Sequence, residues 1–82
     1  MNKTMETSEG KPIEVLPIGT RIRSKSHPEL LGTIRQYEYH ENGKLSPIPY
    51  CISWDNTDKA YRLLGWMFIY SDPDNVEVRD EQ

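Results

Sequence analysis

The sequence predicts an all-β domain of five strands that form a small barrel. Two β-rich runs, residues 19–24 and residues 32–40, are separated by a loop, and a polar turn leads from the second run to a third at residues 50–54. Two such runs enclosing a loop and a hairpin turn are typical of the start of a small barrel. A chain of 82 residues has room for one domain with a small core.

The N-terminal segment precedes this barrel. Residues 1–12 are polar, contain Gly10 and Pro12, and show no periodicity, so we expect a flexible arm. Residues 13–18 are mostly aliphatic, and their prolines favour an extended segment over a helix. We expect this segment to cover one mouth of a barrel domain that spans residues 13–82.

The first two strands follow directly. Residues 20–24 alternate, with Ile22 inward and Arg21 and Arg23 outward, as in a half-buried strand. Residues 32–40 are rich in β-branched and aromatic side chains, which favour a second strand.

A hairpin turn at Asn42-Gly43 connects the second strand to the third, because Asn-Gly supplies the positive φ angles of a tight turn. Pro47 and Pro49 lack an N–H group, so the third strand is expected to start late or to run along an edge. The alternation over residues 50–54 is its clearest part.

The next segment has two interpretations. Residues 59–64 fit a strand or a short helical turn, and we favour the strand. After Gly65 both faces of the predicted fourth strand are apolar, with Trp66, Phe68 and Tyr70 on one face and Met67 and Ile69 on the other. One face of such a strand would meet water in a monomer.

We therefore expect a homo-oligomer, a dimer or a tetramer. Its predicted interface contains Trp66, Phe68, Ile69 and Tyr70. The acidic turn at residues 72–75 then leads to a closing strand over residues 76–78.

Eight aromatic residues are many for this length, and they all lie at or after Tyr37. In one interpretation some of them line a groove that binds a peptide or a small ligand beside the outward arginines. In the other interpretation they fill the core and a subunit contact, and we favour this second use of the aromatic residues. The candidate ligand-binding residues are Tyr37, Trp54, Tyr61, Arg21 and Arg23.

The charge distribution bears on possible partners. Residues 20–44 hold five basic and three acidic side chains, whereas residues 55–82 hold three basic and seven acidic ones, in a chain of net charge -3. Nucleic-acid binding is not expected, because it needs a concentrated basic surface. The same polarity suits association between copies of the chain.

The sequence lacks the residue patterns that are typical of metal sites, of catalytic cysteines and of acid–base carboxylate pairs. His27 and His40 are not at metal-ligand spacing, and Cys51 lies in a predicted strand, where a thiol is usually inert. Asp72 and Asp74 lie in a turn with a proline, which is ordinary turn composition rather than an acid–base pair. We expect no metal and no cofactor. No apolar run is long enough to cross a membrane, and the polar N-terminal residues lack a secretory signal, so we expect a cytoplasmic protein.

Two family resemblances add to these expectations. The series G-T-R-I-R, L-G-T-I, Y-C-I-S-W-D and V-E-V, within residues 17–80, resembles Src-homology-3-like barrels of the Tudor and KOW type. That resemblance implies a small barrel, a fold shared by many unrelated families.

The second resemblance is to the plasmid-borne type II dihydrofolate reductases. G-T-R-I-R-S-K-S resembles their opening strand and M-F-I-Y their active-site strand, which places Ile69 and Tyr70 on matching positions. This resemblance implies a homotetramer with a central pore that binds folate and a nicotinamide cofactor. Ser24, Phe68 and Trp66 stand where that family has lysine, glutamine and serine.

These observations together predict a non-enzymatic binding or accessory module that self-associates and holds a peptide or small ligand in an aromatic groove. One alternative is an NADPH-binding homotetramer of the reductase type. A second alternative is a nucleic-acid-binding barrel.

Overall fold

The computed structural model describes residues 3–66 and 68–79 of the chain. In chain order these residues form β1 (Lys3–Glu6), β2 (Pro12–Val15), β3 (Arg21–Ser24), β4 (Leu31–Tyr39), β5 (Leu45–Trp54), α1 (Thr57–Leu64), β6 (Tyr70–Ser71), a 3₁₀ turn (Pro73–Asn75) and β7 (Val76–Val78). Five strands make one antiparallel sheet in the order β6-β5-β4-β3-β7, and β1 pairs with β2 in a separate hairpin. The predicted all-β class is confirmed, with one short helix added.

The core lies on one face of the five-stranded sheet. Ile22 of β3 is opposite Gly32 of β4, which is opposite Trp54 of β5, and Ile34 is opposite Ile52. All five residues are buried. Because side chains alternate along a strand, the residues between them face outward. The predicted alternation of the first strand is confirmed.

The β4–β5 hairpin has the predicted turn. Gly43 has a φ of 81°, and the His40 N–H donates to the Lys44 carbonyl at 2.8 Å. The predicted late start of the third strand is wrong, because β5 begins at Leu45, before both prolines. Between the pairs Tyr37–Tyr50 and Tyr39–Leu45, β5 has four residues against one in β4. The prolines lie in this bulge, where no ladder donor is required.

The N-terminal segment, whose residues 1–12 were expected to form a flexible arm, contains the hairpin of β1 and β2. β1 and β2 pair from Lys3 opposite Val15 to Glu6 opposite Pro12. Thr7 then forms a bridge with Leu45 of the large sheet, and the Ser8 N–H donates to the Leu45 carbonyl at 2.7 Å. Val15 is fully buried in the core. The hairpin therefore packs on the sheet.

Residues 57–64 form a helix, so the favoured strand over residues 59–64 is wrong. The Asn56 side chain accepts a hydrogen bond from the Lys59 N–H at 3.0 Å and caps the N-terminus. At the other end Gly65 has a φ of 81°, and its N–H donates to the Tyr61 carbonyl at 2.9 Å. Ala60 is fully buried and anchors the helix.

The long strand predicted after Gly65 is also wrong. The Phe68 N–H donates to the Gly65 carbonyl at 3.1 Å, so the chain turns here, and only Tyr70–Ser71 pairs with β5. Trp66 and Phe68 consequently do not share one strand face with Tyr70. Met67, expected on the opposite face, lies outside the described residues. In the part of the chain that is described, no helix is long and apolar enough to span a bilayer.

Candidate interaction surface

Trp54, a predicted ligand-binding residue, belongs to the core. It is 6% exposed, and its indole N–H donates to the Phe68 carbonyl at 2.7 Å. Both its ring surface and its polar group are therefore occupied inside the molecule. Trp54 holds the turn after α1 against the end of β5.

Tyr37 and Tyr50 lie opposite each other on β4 and β5. The Tyr37 hydroxyl donates to the Leu16 carbonyl at 2.6 Å, and the Tyr50 hydroxyl accepts from the Leu16 N–H at 2.9 Å. Burial raises the pKa of both phenols, so they remain protonated at neutral pH. Tyr37, a predicted ligand-binding residue, thus holds the segment after β2 on the sheet.

The two arginines of the predicted groove lie on the other side of the sheet. Arg21 and Arg23 flank the buried Ile22 in β3, so they face away from the core that contains Trp54. The Arg23 Nε atom lies 3.6 Å from a Glu77 carboxylate oxygen on the neighbouring β7. The five predicted groove residues are therefore not brought together on one surface.

Two exposed aromatic side chains and an exposed isoleucine lie at α1 and the turn that follows it, while a third exposed aromatic residue, Tyr39, lies at the end of β4. Tyr61 is 54% exposed, Trp66 is 77% exposed and Ile69 is 41% exposed. We call these three residues the apolar patch. The Tyr61 ring packs edge-on against Phe68 with centroids 5.6 Å apart, and Phe68 in turn packs against the core. One side of Tyr61 thus packs on Phe68, while much of its remaining surface is open to solvent.

The predicted interface residues divide between this patch and its support. Trp66 and Ile69 are exposed, whereas Phe68 and Tyr70 are half-buried. Tyr61, predicted as a ligand-binding residue, joins Trp66 and Ile69 instead. Leu63 is 38% exposed but lies on the other flank of the helix.

The exposed polar face of α1 adjoins the patch. Asp58 and Arg62 are both exposed and lie one turn apart, so they share a face with Tyr61. Neither has an ion-pair partner within residues 3–66 and 68–79. Sequence reasoning did not single out these two residues, because it favoured a strand here. The signals that identify the helix were Asn56 before it and Gly65 after it.

A separate open cleft of about 380 Å³ lies between the N-terminal hairpin and the 3₁₀ turn. Four of its nine lining residues are acidic, namely Glu9, Glu14, Asp72 and Asp74, and Lys11 is basic. Across the described ranges, no three histidine, cysteine or acidic side chains lie close enough to hold a metal ion.

No protein-family model, curated protein or solved structure matches this chain.

Proposed function

We propose that this protein is a non-enzymatic assembly module that self-associates through the apolar patch. The observation that carries the proposal is the exposure of Trp66, which is 77% exposed. Tryptophan and tyrosine are enriched among the residues that contribute most to protein interfaces. An exposed tryptophan and an exposed tyrosine lower the solubility of a domain unless another surface covers them.

The area of the patch is consistent with a dimer of modest affinity. Given typical aromatic side-chain areas, the exposed parts of Tyr61 and Trp66 amount to about 250–300 Å² per copy. Two copies thus bury about 500–600 Å² from these residues, roughly half of the 1,000 Å² that a specific interface needs. Ile69 and the polar face of α1 contribute the rest.

The proposal includes two statements about architecture and location. The five-stranded sheet and the N-terminal hairpin that packs on it form a closed Src-homology-3-like barrel, supported by the joining of the two at Thr7 and Leu45. We further propose that the protein works in the cytoplasm.

The test is sedimentation over a wide range of concentrations. We expect the wild-type protein to dimerise with a dissociation constant in the micromolar range and Trp66→Ala to remain monomeric. Ile18→Ala is the matched control, since Ile18 is 56% exposed but lies outside the patch. A wild-type protein that stays monomeric at millimolar concentration, or an equal loss in both variants, would reject the proposal.

The reductase alternative makes a different prediction. Ser24, at the position of the pore lysine in that family, is fully buried, with its hydroxyl 3.1 Å from that of Ser26. A ligand that binds the folded state at 100 times its dissociation constant stabilises it by about 2.7 kcal/mol. We expect NADPH to leave the melting temperature unchanged. A clear rise would favour the NADPH-binding tetramer.

A further inference from the structure

The exposed face of α1 carries a negative charge near its N-terminus and a positive charge near its C-terminus. A second copy of this face, running in the opposite direction, is therefore complementary in charge. Asp58 lies in the first turn of the helix and Arg62 in the last turn, four residues apart. If a second copy of α1 lies alongside in the opposite direction, Asp58 of each copy meets Arg62 of the other. A two-fold contact always pairs residues reciprocally in this way.

The neighbourhood of the helix favours such a pair. α1 has eight residues, about 12 Å of helix, and its outer face carries Tyr61 between the two charges. Trp66 lies two residues after Leu64, the last residue of α1, so in an antiparallel pair it lies near the N-terminus of the other copy's helix. Each tryptophan then lies at one end of the contact.

We propose that the protein forms a two-fold dimer in which α1 packs antiparallel to α1 of a second copy, with two reciprocal Asp58–Arg62 pairs and Trp66 at each end. This inference rests on the proposed self-association and specifies its partner, orientation and charge specificity. The aromatic residues supply most of the affinity, because exposed ion pairs contribute little. The charges select the antiparallel orientation, because like charges placed opposite each other are unfavourable.

Two charge-reversal variants test the orientation. Asp58→Arg gives a helix face with two positive charges, and Arg62→Glu gives one with two negative charges. Each variant repels its own copies at both reciprocal positions, so we expect its homodimer dissociation constant to rise about 10–100-fold. A 1:1 mixture restores two opposite-charge pairs, so the heterodimer should form with nearly wild-type affinity. Native mass spectrometry distinguishes the three species by mass.

Three controls complete the experiment. Arg21→Glu makes the same kind of charge change on the outward face of β3 and should leave the dimer unchanged. Trp66→Ala introduced into both charge variants should abolish the heterodimer. Circular dichroism and melting temperature of each variant show whether α1 is retained.

The outcomes separate this inference from the proposed function. If the wild-type protein dimerises but the mixture forms no heterodimer, or if both charge variants dimerise as the wild type does, the antiparallel pairing is wrong and self-association stands. If the wild-type protein is a monomer throughout, both proposals fail.

Discussion

Gly32 lies on β4, the central strand of the sheet, opposite Trp54 of β5. A Cβ atom at this position would lie 2.8 Å from the Ile52 Cγ2 atom, 3.0 Å from the Ser53 carbonyl oxygen and 3.0 Å from the Trp54 Cε3 atom. Favourable contacts between carbon atoms are about 3.5–4.0 Å. The carbonyl is backbone, and the indole is held by its bond to the Phe68 carbonyl. Gly32→Ala therefore forces at least two well-fixed groups to move.

The expected cost follows from these distances. Inserting a methyl group into a packed core costs about 1–3 kcal/mol. Replacing glycine by alanine returns about 0.4–1 kcal/mol by restricting the unfolded chain. We expect a net loss of about 1–2 kcal/mol in the free energy of unfolding. For a domain of this size that loss lowers the melting temperature by about 4–16 °C.

Urea titration and thermal melting, both followed by circular dichroism, measure this loss. Ser53→Ala is the matched control, because Ser53 is an exposed neighbour on β5 and its truncation should change stability by less than about 0.5 kcal/mol. In both variants the free energy of unfolding should depend on urea concentration with the wild-type slope, which reports the surface exposed on unfolding.

A double-mutant cycle tests the mechanism directly. Ile52→Ala removes the atom closest to the new methyl group, so it should cost less in the Gly32→Ala background than in the wild type, with a coupling of at least about 0.5 kcal/mol. A Gly32→Ala protein as stable as the wild type would refute the close-contact argument. The argument would also be refuted if the costs of the two substitutions were simply additive.

Three further predictions concern stability. Trp54→Phe removes the N–H that donates to the Phe68 carbonyl, so the free energy of unfolding in urea should fall by about 1–2 kcal/mol, and an unchanged value would contradict the importance of that bond. Asn56→Ala removes the cap of α1, and we expect a loss of about 0.5–2 kcal/mol with reduced helical ellipticity, whereas Asn56→Asp should retain both. Burial raises the pKa of Tyr37 and Tyr50 above the ordinary value of 10.0, so the folded state holds both phenolic protons more tightly than the unfolded chain does. That stabilisation is complete below the unfolded-state pKa and is lost as the pH rises through the folded-state values. Unfolding free energies measured at pH 8–11 should therefore fall less steeply in the Tyr37→Phe/Tyr50→Phe variant, and parallel curves would refute the assignment.

The sequence was informative where side chains alternate or a turn needs a special residue. Ile22 between two arginines identified β3, and Asn42-Gly43 identified the β4–β5 hairpin. These signals are local, because two or three adjacent residues are enough to indicate the burial of one strand face or a positive φ angle.

α1 was missed for a reason that is also local. A helix of eight residues offers two turns of periodicity, and the spacing of Tyr61, Leu63 and Leu64 fits a strand equally well. The capping residues Asn56 and Gly65 indicate the helix more strongly than the apolar spacing does.

The position of the aromatic residues depended on contacts far apart in the chain. Trp54 is buried because it lies opposite Gly32, a pairing set by the register of β4 and β5. Trp66 is exposed because the chain turns at Gly65 and the Phe68 carbonyl is held by Trp54, 14 residues away. Composition alone does not distinguish a core tryptophan from a surface tryptophan, so the candidate surface required the structure.

The bulge in β5 limits how this protein can assemble. Pro47 and Pro49 have no N–H group, and the Ile48 N–H donates to the Ser46 hydroxyl at 3.2 Å. A strand from another molecule that approached residues 46–49 would thus find almost no donors with which to extend the sheet. Fibre-like growth by strand addition is suppressed along this stretch. Copies that meet there must recognise each other through side chains rather than through the backbone.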